Sequence, residues 1–250
     1  MATSNKNKTF FISDLHLDPS RPDLFKLFDE FIDSISNQAD TLYILGDLFE
    51  FWIGDDIIDL PAGKPYLPVL KKLKALVLSG TKLFFIQGNR DFLLQEKFIQ
   101  YLGAEGAELL PDTQVIDLYG TPTLIMHGDT LCTDDKAYQR MRFIFRLKLV
   151  QKLYLFSSVK SRLRKLAKVR KLSINSKKQK DYAIMDVNQQ TLEKVMKQAG
   201  VTQLIHGHTH RPEIHNFQLN GKLATRIVLG DWRDKACYFS ADGSKTEFVH

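Results

Sequence analysis

Three of the seven histidines in this 250-residue chain lie within residues 206–210, inside the stretch LIHGHTHRPE. Four more short clusters combine histidine or glycine with carboxylate or amide side chains: Asp14-Leu15-His16, Gly46-Asp47, Gly88-Asn89-Arg90-Asp91 and His127-Gly128-Asp129. Imidazole nitrogens, carboxylates and an amide oxygen, without thiolates, form a donor set that suits manganese, iron, zinc or nickel. The five clusters therefore indicate a metal centre, provided that the fold brings them together.

The spacing within two of the clusters indicates which side chains converge. Asp14 and His16 are two residues apart, and so are His208 and His210. In an extended chain, residues two apart point to the same side, so each pair is expected to face one point. His206 points to the other side in this alternation, and we do not assign it as a ligand.

Taken singly, each cluster has a simpler explanation than a metal site. An Asp-x-His pair or a Gly-Asn-x-Asp sequence is often a surface turn, and HGHTH alone could be a mononuclear site or a polar loop. Five such clusters, each directly after an apolar stretch, are much harder to explain as accidents. Asp47 could bridge two ions, and Asn89 offers a neutral carbonyl oxygen. We therefore predict a dinuclear centre, with Asp91 and Asp129 as carboxylates that orient histidine rings.

The elements that must position these clusters alternate between strands and helices. The apolar runs predict strands at residues 9–13, 41–47, 82–91, 123–129 and 201–207, and a hairpin that turns at Asn220-Gly221. Helical spacing predicts helices at residues 22–35, 66–80, near 93–101 and 183–199, the last closed by Gly200. This order predicts an α/β fold with a parallel-type sheet, whose ligands bind at the carboxyl ends of the strands.

Charge is distributed unevenly along the chain, although the net charge is only +6. Residues 136–180 contain sixteen Lys or Arg and no Asp or Glu, whereas the rest carries nineteen basic and twenty-nine acidic residues. Residues 134–172 mix these cations with bulky apolar side chains and lack Gly and Pro, which predicts helices. Three interpretations stay open: a solvated surface, a basic patch for nucleic acid, or an amphipathic membrane-surface helix.

Composition places the chain among ordinary soluble globular proteins, at 44% hydrophobic and 26% charged residues. Two cysteines, Cys132 and Cys237, favour a reducing, cytosolic setting with free thiols. The first fourteen residues lack the apolar core of a signal peptide, and no apolar run reaches the ~18 residues that a membrane span needs.

The order Asp-x-His, Gly-Asp, Gly-Asn, His, Gly-His-x-His resembles that of the calcineurin-like metallophosphoesterases. Among these, the UDP-2,3-diacylglucosamine pyrophosphohydrolase family has similar longer motifs: ILGDLFEFWIGDD, GNRDFLL, IMHGDTLCTDD, AIMDVNQ and LIHGHTHRP. The resemblance covers about residues 9–235. It implies a four-layer metallophosphoesterase sandwich of two mixed sheets flanked by helices. Residues 1–133 and 200–250 would form the core, and 134–199 a helical insertion, or lid, within the same domain.

The resemblance also implies the reaction and the metal ligands. The enzyme would attack the α-phosphorus of UDP-2,3-diacylglucosamine, giving UMP and 2,3-diacylglucosamine 1-phosphate in lipid A biosynthesis. Two Mn²⁺ ions per chain are implied, one held by Asp14, His16, Asp47 and His210, the other by Asp47, Asn89, His127 and His208. The alternative is another dinuclear metallophosphoesterase, either a phosphodiesterase or a nuclease.

Asn89 and Arg90 are the implied catalytic residues. Arg90 stands where the general pattern has histidine. A phosphate leaving group needs its charge neutralised more than it needs a proton, and a guanidinium suits that role. Arg90 therefore argues against the phosphodiesterase and nuclease alternative, as does the apolar insertion.

Substrate contacts carried over by the resemblance involve both the core and the insertion. The headgroup would be bound by Asn89, Arg90, Asp135, Ser173, Lys177, Lys180 and His208, with Lys177 in place of the family's asparagine. Apolar faces of the lid would hold the acyl chains, with candidate contacts at Phe143, Phe145, Leu153, Phe156 and Val159. The outer cations would meet anionic headgroups on the cytoplasmic face of the bacterial inner membrane. Neither nucleic acid nor an obligate protein partner is expected.

Overall fold

The computed structural model describes residues 6–177 and 186–250, with backbone alone between 169 and 177. Its strands are β1 (Lys8–Ile12), β2 (Ala39–Ile44), β3 (Lys82–Phe85), β4 (Ala107–Leu109), β5 (Thr113–Leu118), β6 (Thr121–Met126), β7 (Gln203–His206), β8 (Glu213–Leu219), β9 (Lys222–Val228), β10 (Tyr238–Ala241) and β11 (Thr246–Val249). Its α-helices are α1 (Pro22–Ile35), α2 (Leu67–Leu78), α3 (Glu96–Leu102), α4 (Lys136–Arg146), α5 (Lys148–Phe156), α6 (Val159–Lys177) and α7 (Gln189–Ala199).

The strands form two mixed sheets. The first has the order β11-β10-β1-β2-β3-β4, with β1 to β4 parallel and β10 and β11 antiparallel. The second has the order β5-β6-β7-β9-β8, with β6, β7 and β9 parallel. Strands β1 to β3 pair in parallel, as the order of elements predicts, and the sandwich of two mixed sheets implied by the resemblance is confirmed.

Successive side chains along a strand point to opposite faces of its sheet, so each face contributes to a different core cluster. On β1, Phe10 packs with the helices α1 to α3, whereas its neighbour Phe11 packs between the two sheets. A third cluster places Leu192 and Met196 of α7 against the outer face of the second sheet. The core thus consists of helices, sheet, sheet and helix in four layers, because each sheet buries both of its faces.

Most predicted elements are present at nearly their predicted positions. Helix α1 spans residues 22–35 as predicted, since Pro22 suits the first turn and its apolar residues repeat at helical spacing. The hairpin β8–β9 turns at Asn220 and Gly221, which have φ of 52° and 75°. The short strand β4 and the half-exposed strand β5 were not predicted, because neither has a continuous apolar run.

Helix α7 begins later than predicted and belongs to the core packing. The Asn188 side chain accepts a hydrogen bond from the Thr191 N–H, so the helix starts at Gln189 rather than at residue 183. Residues 183–185 lie outside the described part of the chain. The division at residue 199 between insertion and core stays a prediction, although packing groups α7 with the second sheet.

Helices α4 to α6 form the basic segment and are fixed to the core by arginine side chains. Arg162 on α6 is only 1% exposed. Its guanidinium pairs with the carboxylate of Asp56 and donates to the carbonyl oxygens of Ile53 and Ser157 at 2.6 and 3.1 Å. No described helix is long and apolar enough to cross a membrane.

Replacing Asp56 by alanine is expected to destabilise the fold more than replacing Arg162 by methionine. The first change leaves a buried guanidinium without its counter-ion, at a cost of about 3 kcal/mol. The second replaces the cation with an apolar side chain of similar length. Chemical denaturation followed by circular dichroism measures both free energies of unfolding.

Asp59→Ala is the control for that comparison. Asp59 pairs with Lys97, and both side chains are exposed, so the loss of stability should be small. An Asp56→Ala loss no larger than that of the control would contradict the anchoring role of Arg162.

Candidate metal centre

All seven predicted ligands lie just beyond the carboxyl ends of five parallel strands. Strand β1 leads into Asp14 and His16, β2 into Asp47, and β3 into Asn89 in the first sheet. In the second sheet, β6 leads into His127, and β7 into His208 and His210. The two sheets meet so that these strand ends face one another, which places the seven side chains in one cluster. Their role as ligands stays a prediction.

The backbone at five of these residues is left-handed rather than extended. Asp14, His16, Asp47, His208 and His210 have φ of 56°, 50°, 54°, 70° and 58°. The expected extended alternation is therefore wrong as the cause of their convergence. Such conformations cost on the order of 1 kcal/mol each and persist where surrounding contacts hold them. Here the N–H of His16 donates to the Asp47 carbonyl at 3.0 Å, and that of His208 to the Asp14 carboxylate at 2.8 Å.

One group of ligand atoms comes from Asp14, His16 and His210. The Nε2 atoms of the two histidines are 3.2 Å apart, and His210 Nε2 is 3.3 Å from Asp14 Oδ1. Asp47 Oδ2 lies 3.9 Å from His16 Nε2, at the edge of this group. These four residues are the set that the resemblance implies for one cation.

A second group forms around the amide oxygen of Asn89. That oxygen lies 3.1 Å from His127 Nε2 and 3.0 Å from His208 Nδ1. His127 Nε2 is 3.8 Å from Asp47 Oδ2. Asp47 therefore lies between the two groups, where one carboxylate could bridge two ions.

The chemistry of the cluster fits divalent cations. Asp14 is fully buried, and its Oδ1 atom has no hydrogen-bond partner among the described residues. Burial disfavours ionisation of Asp14, but the positive charge of the nearby His210 outweighs it, so the Asp14 pKa lies well below its usual value. A buried acceptor that faces imidazole nitrogens is satisfied by a shared cation.

Carboxylates other than the predicted ones lie behind the histidine rings. Glu50 Oε2 lies 2.8 Å from His16 Nδ1, and Asp231 Oδ2 lies 3.5 Å from His210 Nδ1. Behind His127, by contrast, the Leu45 carbonyl lies 2.8 Å from Nδ1. Sequence reasoning missed both carboxylates, although Gly230-Asp231 follows strand β9 in the same pattern as Gly46-Asp47.

Asp91 and Asp129 do not orient histidine rings by hydrogen bonds, contrary to the sequence-based interpretation. Asp91 accepts from the backbone N–H groups of Leu48 and Gly88, each at 2.8 Å, and so ties two ligand loops together. Asp129 accepts from the Tyr138 hydroxyl at 2.8 Å and from Arg142 Nε at 2.6 Å. It thereby fixes helix α4 beside the cluster.

The predicted headgroup residues fall into two sets. Asn89, Arg90 and His208 lie in or beside the cluster, whereas Asp135 accepts from the Tyr138 N–H at 3.0 Å and caps helix α4. Ser173 and Lys177 lie on helix α6, in the part described by backbone alone, and Lys180 lies outside the described residues. Their contacts with a substrate stay predictions.

His206 lies apart from both ligand groups. It is fully buried, and its Nδ1 atom lies 2.8 Å from the Gly207 carbonyl oxygen. Burial lowers its pKa to about 3, which keeps the ring neutral. Both cysteines are buried and neither forms a disulfide, and burial raises their pKa values, so the thiols are unreactive.

Comparison with known proteins places the chain in a family. Residues 8–212 match the profile of the calcineurin-like phosphoesterases. The chain belongs to the calcineurin-like phosphoesterase family. This membership confirms the resemblance inferred from the motifs, and it makes the protein a metal-dependent phosphoesterase.

Three curated relatives of this phosphoesterase carry the name UDP-2,3-diacylglucosamine hydrolase. The protein from Vibrio parahaemolyticus is 48% identical over 90% of both chains. That from Neisseria meningitidis is 46% identical over 96% of both chains. That from Serratia proteamaculans is 44% identical over 96% of this chain and 98% of its own.

Asp47→Ala is expected to remove both metal ions from this phosphoesterase, whereas Asn89→Ala should remove one. The reason is that Asp47 lies between the two ligand groups and Asn89 belongs to one. Metal content after equilibration with Mn²⁺ and dialysis, measured by mass spectrometry, should fall from two per chain to near zero and near one. Asp117→Ala, in an exposed turn, is the control. Two ions per chain in Asp47→Ala would contradict the shared role.

Proposed function

We propose that this phosphoesterase hydrolyses the pyrophosphate bond of UDP-2,3-diacylglucosamine, giving UMP and 2,3-diacylglucosamine 1-phosphate in lipid A biosynthesis. The observation that carries the proposal is the identity of between 44% and 48%, over 90% or more of the chain, to proteins named UDP-2,3-diacylglucosamine hydrolase. Substrate preference usually differs between distant members of a fold family. Identity of 44% to 48% over 90% or more of the chain is far too extensive to come from the metal-ligand motifs alone.

The cation-binding part of the proposal rests on the two ligand groups. Asp14, His16, Asp47 and His210 would hold one ion, and Asp47, Asn89, His127 and His208 the other. When bound, two such cations supply an activated water near neutral pH and neutralise phosphoryl charge. We propose Mn²⁺ for both, which suits the mixed nitrogen and oxygen donors.

Arg90 is the proposed phosphate-binding cation of the protein itself. Its backbone N–H donates to Asp47 Oδ1 at 2.8 Å, which ties it to the ligand cluster. Its guanidinium lies 4.9 Å above the centre of the Phe51 ring. A guanidinium held beside the cluster can bind two phosphoryl oxygens and stabilise the negative charge that develops on the departing phosphate. We propose attack at the α-phosphorus, so that UMP is released on one side and the lipid phosphate on the other.

The insertion is the proposed lid for the acyl chains. Phe143, Leu153 and Phe156 are 68%, 66% and 93% exposed, which is unusual for apolar side chains this large. Phe145 stacks against Phe92 of the core, with ring centres 6.3 Å apart. Val159, by contrast, packs against the main core cluster. We therefore do not include it among the proposed acyl contacts.

The apolar surface of the insertion begins close to the ligand cluster. A small cavity beside the cluster is lined by Asn89 of the cluster and by Phe92, Tyr138, Met141, Arg142, Phe145 and Arg146. Each methylene of an acyl chain buried along such a surface contributes about 0.8 kcal/mol. The proposed lid therefore offers an apolar surface for lipid, and its first helix, α4, lines a cavity beside the proposed metal centre.

Peripheral attachment to the cytoplasmic face of the inner membrane is the proposed location. It is supported by the exposed cations and apolar side chains that helices α4 to α6 share. Lys and Arg near an anionic surface contribute about 1 kcal/mol each, and this attraction falls as salt rises. The described part of the chain contributes no span of its own to such attachment.

Purified protein with Mn²⁺ is expected to release UMP from UDP-2,3-diacylglucosamine, and chelation should abolish the release. Arg90→Ala should lower kcat/KM by about 100-fold or more, because no guanidinium then neutralises the negative charge that develops on the departing phosphate. Chromatographic detection of UMP measures both effects. Metal-loaded wild-type protein that hydrolyses simple phosphodiesters or nucleic acid, but not this substrate, would overturn the proposed substrate.

Replacing Phe143, Leu153 and Phe156 together by serine is expected to raise KM for the lipid substrate by at least 10-fold. Hydrolysis of bis(p-nitrophenyl) phosphate should be unchanged, because that substrate has no acyl chain. Leu78→Ser is the matched control, since Leu78 is 76% exposed at the end of helix α2. An equal loss on both substrates would contradict a role of the insertion in lipid binding.

A further inference from the structure

Glu50 lies between a proposed metal ligand and the proposed catalytic cation. Its carboxylate oxygen Oε2 is 2.8 Å from His16 Nδ1, and its other oxygen, Oε1, is 3.7 Å from the Arg90 guanidinium. The Glu50 backbone is fixed as well, because its N–H donates to the Leu17 carbonyl at 3.1 Å. The loops after strands β1 and β2 are thus joined at this residue.

The contact with His16 affects which of its two ring nitrogens is available to bind a cation. His16 presents Nε2 to the ligand group, 3.2 Å from His210 Nε2 and 3.9 Å from Asp47 Oδ2. An imidazole can bind a cation through one nitrogen when the proton is on the other. The contact is electrostatic, since His16 Nδ1 makes no hydrogen bond within the described residues. A negative charge 2.8 Å from Nδ1 favours the proton there and leaves Nε2 available to a cation.

The contact with Arg90 affects the orientation of its guanidinium. The Phe51 ring lies under the guanidinium at 4.9 Å, and a ring face permits sliding and rotation in its plane. The Arg90 side chain is 12% exposed, so its charge is largely removed from solvent. The Glu50 carboxylate, 3.7 Å away and so in ion-pair rather than hydrogen-bond contact, attracts one edge of the guanidinium and adds a direction that the ring cannot supply.

We propose that Glu50 is a positioning residue that holds His16 and Arg90 in one fixed arrangement through its two carboxylate oxygens. Its effect on His16 concerns cation binding. Its effect on Arg90 concerns the phosphate substrate and rests on the proposed function. Asp231 has a comparable place behind His210, 3.5 Å from Nδ1, but Glu50 is the carboxylate that also reaches Arg90.

Glu50→Gln tests this proposal because it keeps the shape of the side chain and removes its charge. The first measurement is Mn²⁺ binding to metal-free protein by isothermal titration calorimetry, which needs no substrate. We expect at least one of the two ions to bind about 10-fold more weakly, as when a carboxylate behind a metal-binding histidine is lost. Unchanged affinity for both ions would overturn the role of Glu50 toward His16.

The second measurement is a double-mutant cycle on kcat for UMP release. Glu50→Gln should lower kcat about 10-fold or more in the wild-type background at saturating Mn²⁺. In the Arg90→Ala background the same change should have at least 3-fold less effect, because the group being positioned is already absent. Equal effects in the two backgrounds would overturn the role of Glu50 toward Arg90.

Glu193→Gln is the matched control, since Glu193 has a similar exposure, 33% against 29% for Glu50, and pairs with Lys197 on helix α7. It should change neither Mn²⁺ affinity nor kcat. Thermal unfolding of both variants confirms that each is folded. If the wild-type protein releases no UMP, the proposed substrate is wrong. The Mn²⁺ titration by calorimetry still decides whether Glu50 positions His16.

Discussion

The structure depends on the burial of two carboxylates, Asp14 and Asp47, where the ends of the two sheets meet. An isolated buried carboxylate costs several kcal/mol, so each must be surrounded by donors or positive charge. The N–H groups of His208 and Arg90 each donate to one of these carboxylates at 2.8 Å, and imidazole rings lie close to both. Divalent cations would complete the compensation.

Because the buried carboxylates need surrounding donors, the loops at the strand ends must approach one another closely. A Cβ at Gly88 would lie 2.1 Å from Asp47 Oδ1, and one at Gly207 would lie 2.2 Å from Asp14 Oδ2. Glycine at these two positions lets a loop from a neighbouring strand, or from the opposite sheet, contact the carboxylates through its backbone. The apolar cluster between the sheets, which includes Phe11 and Phe239, holds the strands that carry these loops.

The basic insertion is also held to the core by electrostatic contacts, namely ion pairs and hydrogen bonds from its arginine side chains. Arg142 pairs with Asp129 beside the ligand cluster, and Arg146 donates to the Gly88 carbonyl at 3.1 Å. Arg162 reaches Asp56 from helix α6. Part of the cationic excess of this segment therefore anchors it to the acidic core. Apolar residues between these anchors, such as Leu153 and Phe156, remain exposed and are the proposed contacts for lipid.

The sequence by itself determined the identity of the elements and the donor atoms. Helix α1, the Asn220-Gly221 hairpin and the seven clustered side chains could be predicted because helical spacing, turn chemistry and strand-end motifs are local. The division into two sheets was implied only by the family resemblance, not by the order of elements. The tertiary structure alone decided the left-handed backbone at residues such as Asp14 and the placing of Glu50 and Asp231 behind histidine rings. The physical reason is distance along the chain: His16 and His210, 194 residues apart, meet only after both sheets pack.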